Sequence, residues 1–131
     1  MSDKIRNRKE IGALGEQIAA GFLEQKGFTV IERNYRKPWG EIDLIAEKGD
    51  SVRFVEVKTV SRERIEDISR EMGKYSPEEQ VHQFKLKKVA RTAEMYMANK
   101  NDNRDFQVDV VAVFLDHSTR KARCRLYEQV L

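Results

Sequence analysis

Gly40-Glu-Ile-Asp-Leu-Ile-Ala-Glu-Lys-Gly-Asp-Ser-Val-Arg-Phe-Val-Glu-Val-Lys58 reads as two short strands joined by a tight connection. Residues 41–46 and 51–58 are rich in β-branched and aliphatic side chains, and Lys48-Gly49-Asp50 breaks them. An antiparallel hairpin is the expected result. Each strand carries a carboxylate among apolar neighbours: Asp43 within Ile42-Asp-Leu-Ile45, and Glu56 within Phe54-Val-Glu-Val57. A buried carboxylate needs a metal, a cation or several hydrogen-bond donors. Glu56 and Lys58 are two apart, so they project from one strand face, and the hairpin brings Asp43 alongside them.

Upstream, residues 28–33 form a further strand candidate, which the Pro38-Trp39-Gly40 turn connects to the hairpin as a β-meander. Before it, Ile11, Leu14, Ile18 and Phe22 repeat at helical spacing, with Gly27 where a C-terminal cap belongs. Downstream, residues 61–75 alternate charges around Ile65, Ile68 and Met72 and read as a surface insertion. Ser76-Pro77-Glu78-Glu79 is a capping box with proline at the first helical position. It predicts a second helix from residue 77 to about residue 98, with Leu86, Val89, Ala93 and Met97 facing inward. The valine-rich run at 106–115 predicts a strand deep in the sheet, and residues 122–127 return beside it after a turn. The order is helix, three strands, insertion, helix, two strands. This is an α/β fold, a mixed sheet flanked by helices, in one domain over residues 1–131.

A chain of 131 residues supports one core. Its single cysteine, Cys124, makes no internal disulfide, and no Cys/His cluster offers a structural zinc site. The chain opens with basic residues but no apolar leader, and it has no run approaching the roughly 18 apolar residues of a membrane span. A reduced, cytoplasmic setting with no membrane partner is the default expectation. The net charge of +3 does not by itself identify a nucleic-acid partner. Gly12, Gly15 and Gly40 make neither a P-loop nor a dinucleotide fingerprint, so no nucleotide cofactor is expected.

Two carboxylates and an ammonium at one strand end suit a metal-and-water site. Magnesium takes hard oxygen ligands and keeps waters, which Asp43, Glu56 and the backbone carbonyl of Val57 accommodate. Lys58 then lies near an attacking water. Each of these residues alone also fits an ordinary strand face or turn; their combination carries the signal. By periodicity, Glu16 sits at a helix edge, open to either solvent or the sheet. Lys85, Lys88 and Arg91 recur every three positions and suit successive phosphates, as they also suit a solvated helix face. Arg33, Arg36 and Lys37, with Tyr35 and Trp39, form a second basic patch in which an aromatic ring can stack on an unpaired base. His82 and His117 read as structural or surface residues.

Taken together, Gly12-Ala-Leu-Gly-Glu16, Arg33-Asn-Tyr-Arg36, Gly40-Glu-Ile-Asp-Leu-Ile-Ala46 and Phe54-Val-Glu-Val-Lys58 closely resemble the YraN-like bacterial proteins. The likeness continues through Ser76-Pro-Glu-Glu79 and Val108-Asp-Val-Val-Ala-Val113. That family in turn resembles the archaeal Holliday-junction resolvases and the PD-(D/E)XK nucleases, and the resemblance implies a restriction-endonuclease-like fold. On it, Asp43 matches the first metal-binding carboxylate, Glu56 the second, Lys58 the motif lysine, and Glu16 the helix-one glutamate. It further implies magnesium, with manganese able to substitute, a homodimer, and hydrolysis of phosphodiester bonds in branched or structured DNA. Two departures stand out: Val60 replaces an arginine common after the motif lysine, and the segment 61–75 is long. Two other functions fit the same residues: a DNA-binding protein without catalysis, and a protein-interaction domain with a solvated acidic face.

Overall fold

The computed structural model describes residues 7–62 and 83–131. Helix α1 (Arg8–Gln25) starts earlier than its apolar repeat. The Asn7 side chain accepts from the Glu10 N–H at 2.8 Å, and the Glu10 carboxylate accepts from the Asn7 N–H at 3.2 Å, a reciprocal cap one turn ahead of Ile11. The helix ends as Gly27 predicts: that residue takes φ +92°, and the Phe28 N–H closes onto the Leu23 carbonyl at 3.0 Å. The apolar repeat packs against the sheet, and the most buried residues lie beside it. Gly15, Ala19, Ala20 and Leu23 are fully buried, whereas Ile11, Leu14, Ile18 and Phe22 are half-buried beside them. Small side chains let the helix axis approach the sheet, and the larger ones splay to either side.

Five strands follow: β1 (Thr29–Lys37), β2 (Gly40–Lys48), β3 (Ser51–Arg62), β4 (Phe106–Asp116) and β5 (Lys121–Tyr127), hydrogen-bonded in the order β1-β2-β3-β4-β5. β1, β2 and β3 form the antiparallel meander. Helix α2 (Gln83–Asn99) lies in the crossover that makes β4 parallel to β3, and β5 returns antiparallel to β4. β4 is buried from Val108 to Asp116, as expected of an interior strand covered on both faces. On one face Leu86, Val89, Ala93 and Met97 of α2 pack with Tyr35, Ile42, Phe54 and Val110. On the other, Ala19, Ala20 and Leu23 of α1 pack with Leu44, Val55, Val111 and Val113.

Two strands run longer than their sequence signals. β1 continues through Lys37 because Tyr35, Arg36 and Lys37 pair with Ile42, Glu41 and Gly40. β3 continues through Arg62 because residues 59–62 pair with Val113, Phe114, Leu115 and Asp116. Ser61 and Arg62 therefore belong to the sheet and not to a surface insertion. The rest of the segment 61–75, the cap at 76–79, the start of the second helix at Pro77, and His82 lie outside the described residues. Among the described residues no helix is long and apolar enough to cross a membrane.

Candidate functional site

Strands β2 and β3 pair from Lys48↔Ser51 to Leu44↔Val55 and separate beyond that point. The separation coincides with a break in side-chain alternation. Ile42 packs in the α2-side core and Leu44 in the α1-side core, although residues two apart on a regular strand share a face. On β1, between the pairs Arg33↔Leu44 and Tyr35↔Ile42, Asn34 adopts a left-handed conformation with φ 53°. Asp43 sits at this twist. Its Oδ2 accepts the Val57 N–H at 2.9 Å, in place of a ladder bond. The N–H and C=O of one strand residue face the same edge, so the Val57 carbonyl opens onto the same gap.

Three carboxylates meet here, with Asp43 in the middle. Glu56 is buried and faces the Asp43 charge, and it forms an ion pair with Lys85 of α2. Burial first, and the facing Asp43 charge second, push its carboxyl up to about 7 against the opposing pull of Lys85. Glu16 reaches Asp43 from α1, and its acidity is also weakened, by burial and then by Asp43, with Arg36 opposing. The nearby Asn34 side chain also opposes that weakening, more weakly than Arg36 does. Gly15 makes the approach possible: a Cβ there would lie 1.9 Å from Thr59 Oγ1 on β3.

The site opens on a cleft of about 730 Å³ bordered by Arg8, Glu16, Asp43, Val57, Lys58 and Lys85, among others. Among the described residues no three acidic, histidine or cysteine side chains stand close enough together to hold a metal ion by themselves, so an ion here would draw on the backbone and on water as well. What is present is a set of oxygen donors, the Glu16, Asp43 and Glu56 carboxylates and the Val57 carbonyl, of the kind hard divalent cations take. Close, partly desolvated carboxylates that retain protons are the arrangement a dication relieves.

Glu16, Asp43, Glu56, Val57 and Lys58 thus come to one region of the sheet. The cation on Glu56, however, is Lys85 and not Lys58. Of the residues read as phosphate contacts, Lys88 and Arg91 are exposed, as are Arg33 and Lys37, while Arg36 is paired with Glu41. Tyr35 is 6% exposed and sits edge-on to Tyr96 at 5.3 Å between ring centroids, so it is core and takes no part in base stacking. Trp39 is the exposed aromatic of that patch. His117 contacts Ser61, a residue that borders the cleft. Sequence reasoning misses Asn34 and Gly15. Gly15 left a trace, because a glycine inside a helix costs about 1 kcal/mol relative to alanine and calls for a packing reason.

A family model described as uncharacterised protein family UPF0102 matches residues 15–113. A UPF0102 protein from Dictyoglomus thermophilum is 37% identical over 113 residues, covering 86% of this chain and 88% of the relative. One from Moorella thermoacetica is 38% identical over 116 residues, covering 88% and 89%. One from Alkaliphilus metalliredigens is 42% identical over 108 residues, covering 82% and 87%. The family match includes every carboxylate of the site, so the site lies in the part these proteins share.

Proposed function

The chain belongs to the UPF0102 family, and we propose that it is a metal-dependent endonuclease of branched or structured DNA, folded in the manner of the PD-(D/E)XK nucleases and archaeal Holliday-junction resolvases. One observation carries this reading. Glu16, Asp43 and Glu56 are gathered at the gap between β2 and β3, where burial and mutual repulsion raise the Glu56 carboxyl to about 7. An arrangement that is costly without an external cation suits one that binds a cation in use. The cleft sets Arg8, Lys58 and Lys85 around the acids Glu16 and Asp43, which fits a phosphodiester arriving with a divalent ion.

Asp43, Glu56 and the Val57 carbonyl would hold magnesium or manganese, with Glu16 completing the oxygen set. When bound, such an ion supplies a Lewis acid for the phosphate and lowers the pKa of bound water. Lys58, on the face of β3 shared with Glu56, orients the attacking water or neutralises charge developing on the phosphate oxygens. Lys88 and Arg91 on α2, with Arg33 and Lys37 on β1, contact backbone phosphates without reading sequence. The active form is a two-fold homodimer that engages paired strands. A second reading, DNA binding without cleavage, is favoured by one feature: Lys85 already neutralises Glu56.

The test is purified protein on four-way, flap, single-stranded and linear duplex DNA with magnesium or manganese. Wild type should cleave. Asp43→Asn and Glu56→Gln should each lower cleavage on the order of a hundredfold or more while keeping the circular dichroism spectrum and DNA affinity. Lys58→Met should suppress cleavage and leave metal binding intact. Equal cleavage by wild type and the carboxamide variants would overturn the assignment of the site, and tight DNA binding with no cleavage of any substrate would leave the second reading.

A further inference from the structure

The two partners of the Lys85–Glu56 ion pair are unequal. The Glu56 side chain is 4% exposed and fixed within β3, whereas that of Lys85 is 60% exposed and reaches it from α2. Lys85 and Asp43 border the cleft, and Glu56 is not part of that lining. The lysine therefore stands between solvent and the most deeply set carboxylate of the site. Its stem is flexible, so rotation about side-chain bonds carries the ammonium from Glu56 toward the cleft without moving α2.

We infer that Lys85 is a displaceable counter-ion: it holds Glu56 while the divalent ion is absent, gives way when the ion binds, and is thereby released to a phosphate of the DNA backbone. This rests on the metal-dependent reading above. An ammonium and a dication cannot share one carboxylate without repulsion at contact distance. Each therefore weakens the hold of the other on Glu56. A lysine freed from Glu56 is a cation newly available to a polyanion, so the ion and DNA strengthen one another's binding through it. By linkage the two effects are equal in size.

Manganese titration of the full chain, read by the electron paramagnetic resonance of free Mn2+, tests the competition without any cleavage assay. Lys85→Met should bind Mn2+ roughly fivefold to tenfold more tightly than wild type in the absence of DNA, the strength of one half-exposed charge-assisted contact. Lys85→Gln should do the same, Lys85→Arg should stay near wild type, and Lys121→Met on the exposed start of β5 should change nothing. Anisotropy of a labelled four-way junction in EDTA and in Ca2+ reads the other half: the gain in DNA affinity on adding Ca2+ should shrink in Lys85→Met by a similar factor. Equal or weaker Mn2+ binding by both neutral variants, with Asp43→Asn abolishing binding, would overturn the counter-ion role and leave the metal-dependent reading in place. No Mn2+ binding by any form would overturn both.

Discussion

Asp109 and Glu56 lie buried on adjacent parallel strands, each set in a run of valines. Asp109 is fully supplied by its own chain. It accepts from Arg53 Nη1 at 3.1 Å, Gln107 Nε2 at 2.8 Å and the Gln129 N–H at 2.8 Å. Arg53 also holds Glu128 at 2.8 Å, and the Val130 N–H donates to the Val108 carbonyl at 2.9 Å. This network ties the residues after β5 to the sheet. Glu56 instead faces a second carboxylate and is balanced by one solvent-reaching lysine. Burial of a strand carboxylate is therefore a poor mark of function by itself. The mark is the source of its neutralisation: fixed donors make a structural joint, whereas another acid and a displaceable cation make a place for something else.

Asp109→Asn gives the sharpest test of that contrast. It leaves the Arg53 guanidinium, whose side chain is 12% exposed, without its buried anion, and should cost about 3 kcal/mol in urea unfolding while leaving the carboxylates of the proposed site untouched. Glu56→Gln should cost far less. An Asp109→Asn protein as stable as wild type would dissolve the distinction between the two regions.

A smaller effect follows from proton linkage. The Glu56 carboxyl titrates near 7 in the folded chain and at its ordinary value of 4.5 when unfolded. Between those values the folded state holds the extra proton, so this group's contribution falls as pH rises through the window. Glu56→Gln lacks the titration. Compared by denaturant midpoint, the variant should gain on wild type by on the order of 2 kcal/mol between pH 4.5 and pH 8, and saturating magnesium should narrow the gap. A difference independent of pH would mean that burial and the Asp43 charge do not raise the Glu56 carboxyl in solution.

The smallest expected change concerns the helix that delivers Glu16. Gly15→Ala places a methyl against Thr59, and the cost of overpacking should exceed the gain in helix propensity by about 1 kcal/mol. Gly12→Ala meets nothing within 4 Å and should stabilise by up to about 1 kcal/mol. Thr59→Ala should recover part of the Gly15→Ala loss. If both glycine variants shift the thermal midpoint alike, the close approach of α1 to β3 is not what holds Glu16 in place.

By itself the sequence determined the kinds of element and their order, since apolar period and turn chemistry act within a few residues. The hairpin around Gly49, the Gly27 helix stop and the inner face of α2 at Leu86, Val89, Ala93 and Met97 were all legible in this way. So was the pairing of Asp43 with Glu56 as the centre of interest, because acids among valines and isoleucines demand a partner. Other features depended on segments far apart in the chain. β3 reaches Arg62 because β4 is there to pair with it, and Tyr35 is core because Tyr96 packs against it. Ile42 and Leu44 look equivalent in the sequence, and only the twist opposite Asn34 sends them to opposite faces and turns Asp43 toward the Val57 N–H. Glu16 and Lys85 stand at edges of their helices, where periodicity is silent. Tertiary packing decides whether such a side chain meets water or a carboxylate, because a charge responds to what lies within a few ångströms in space, however distant that group is along the chain.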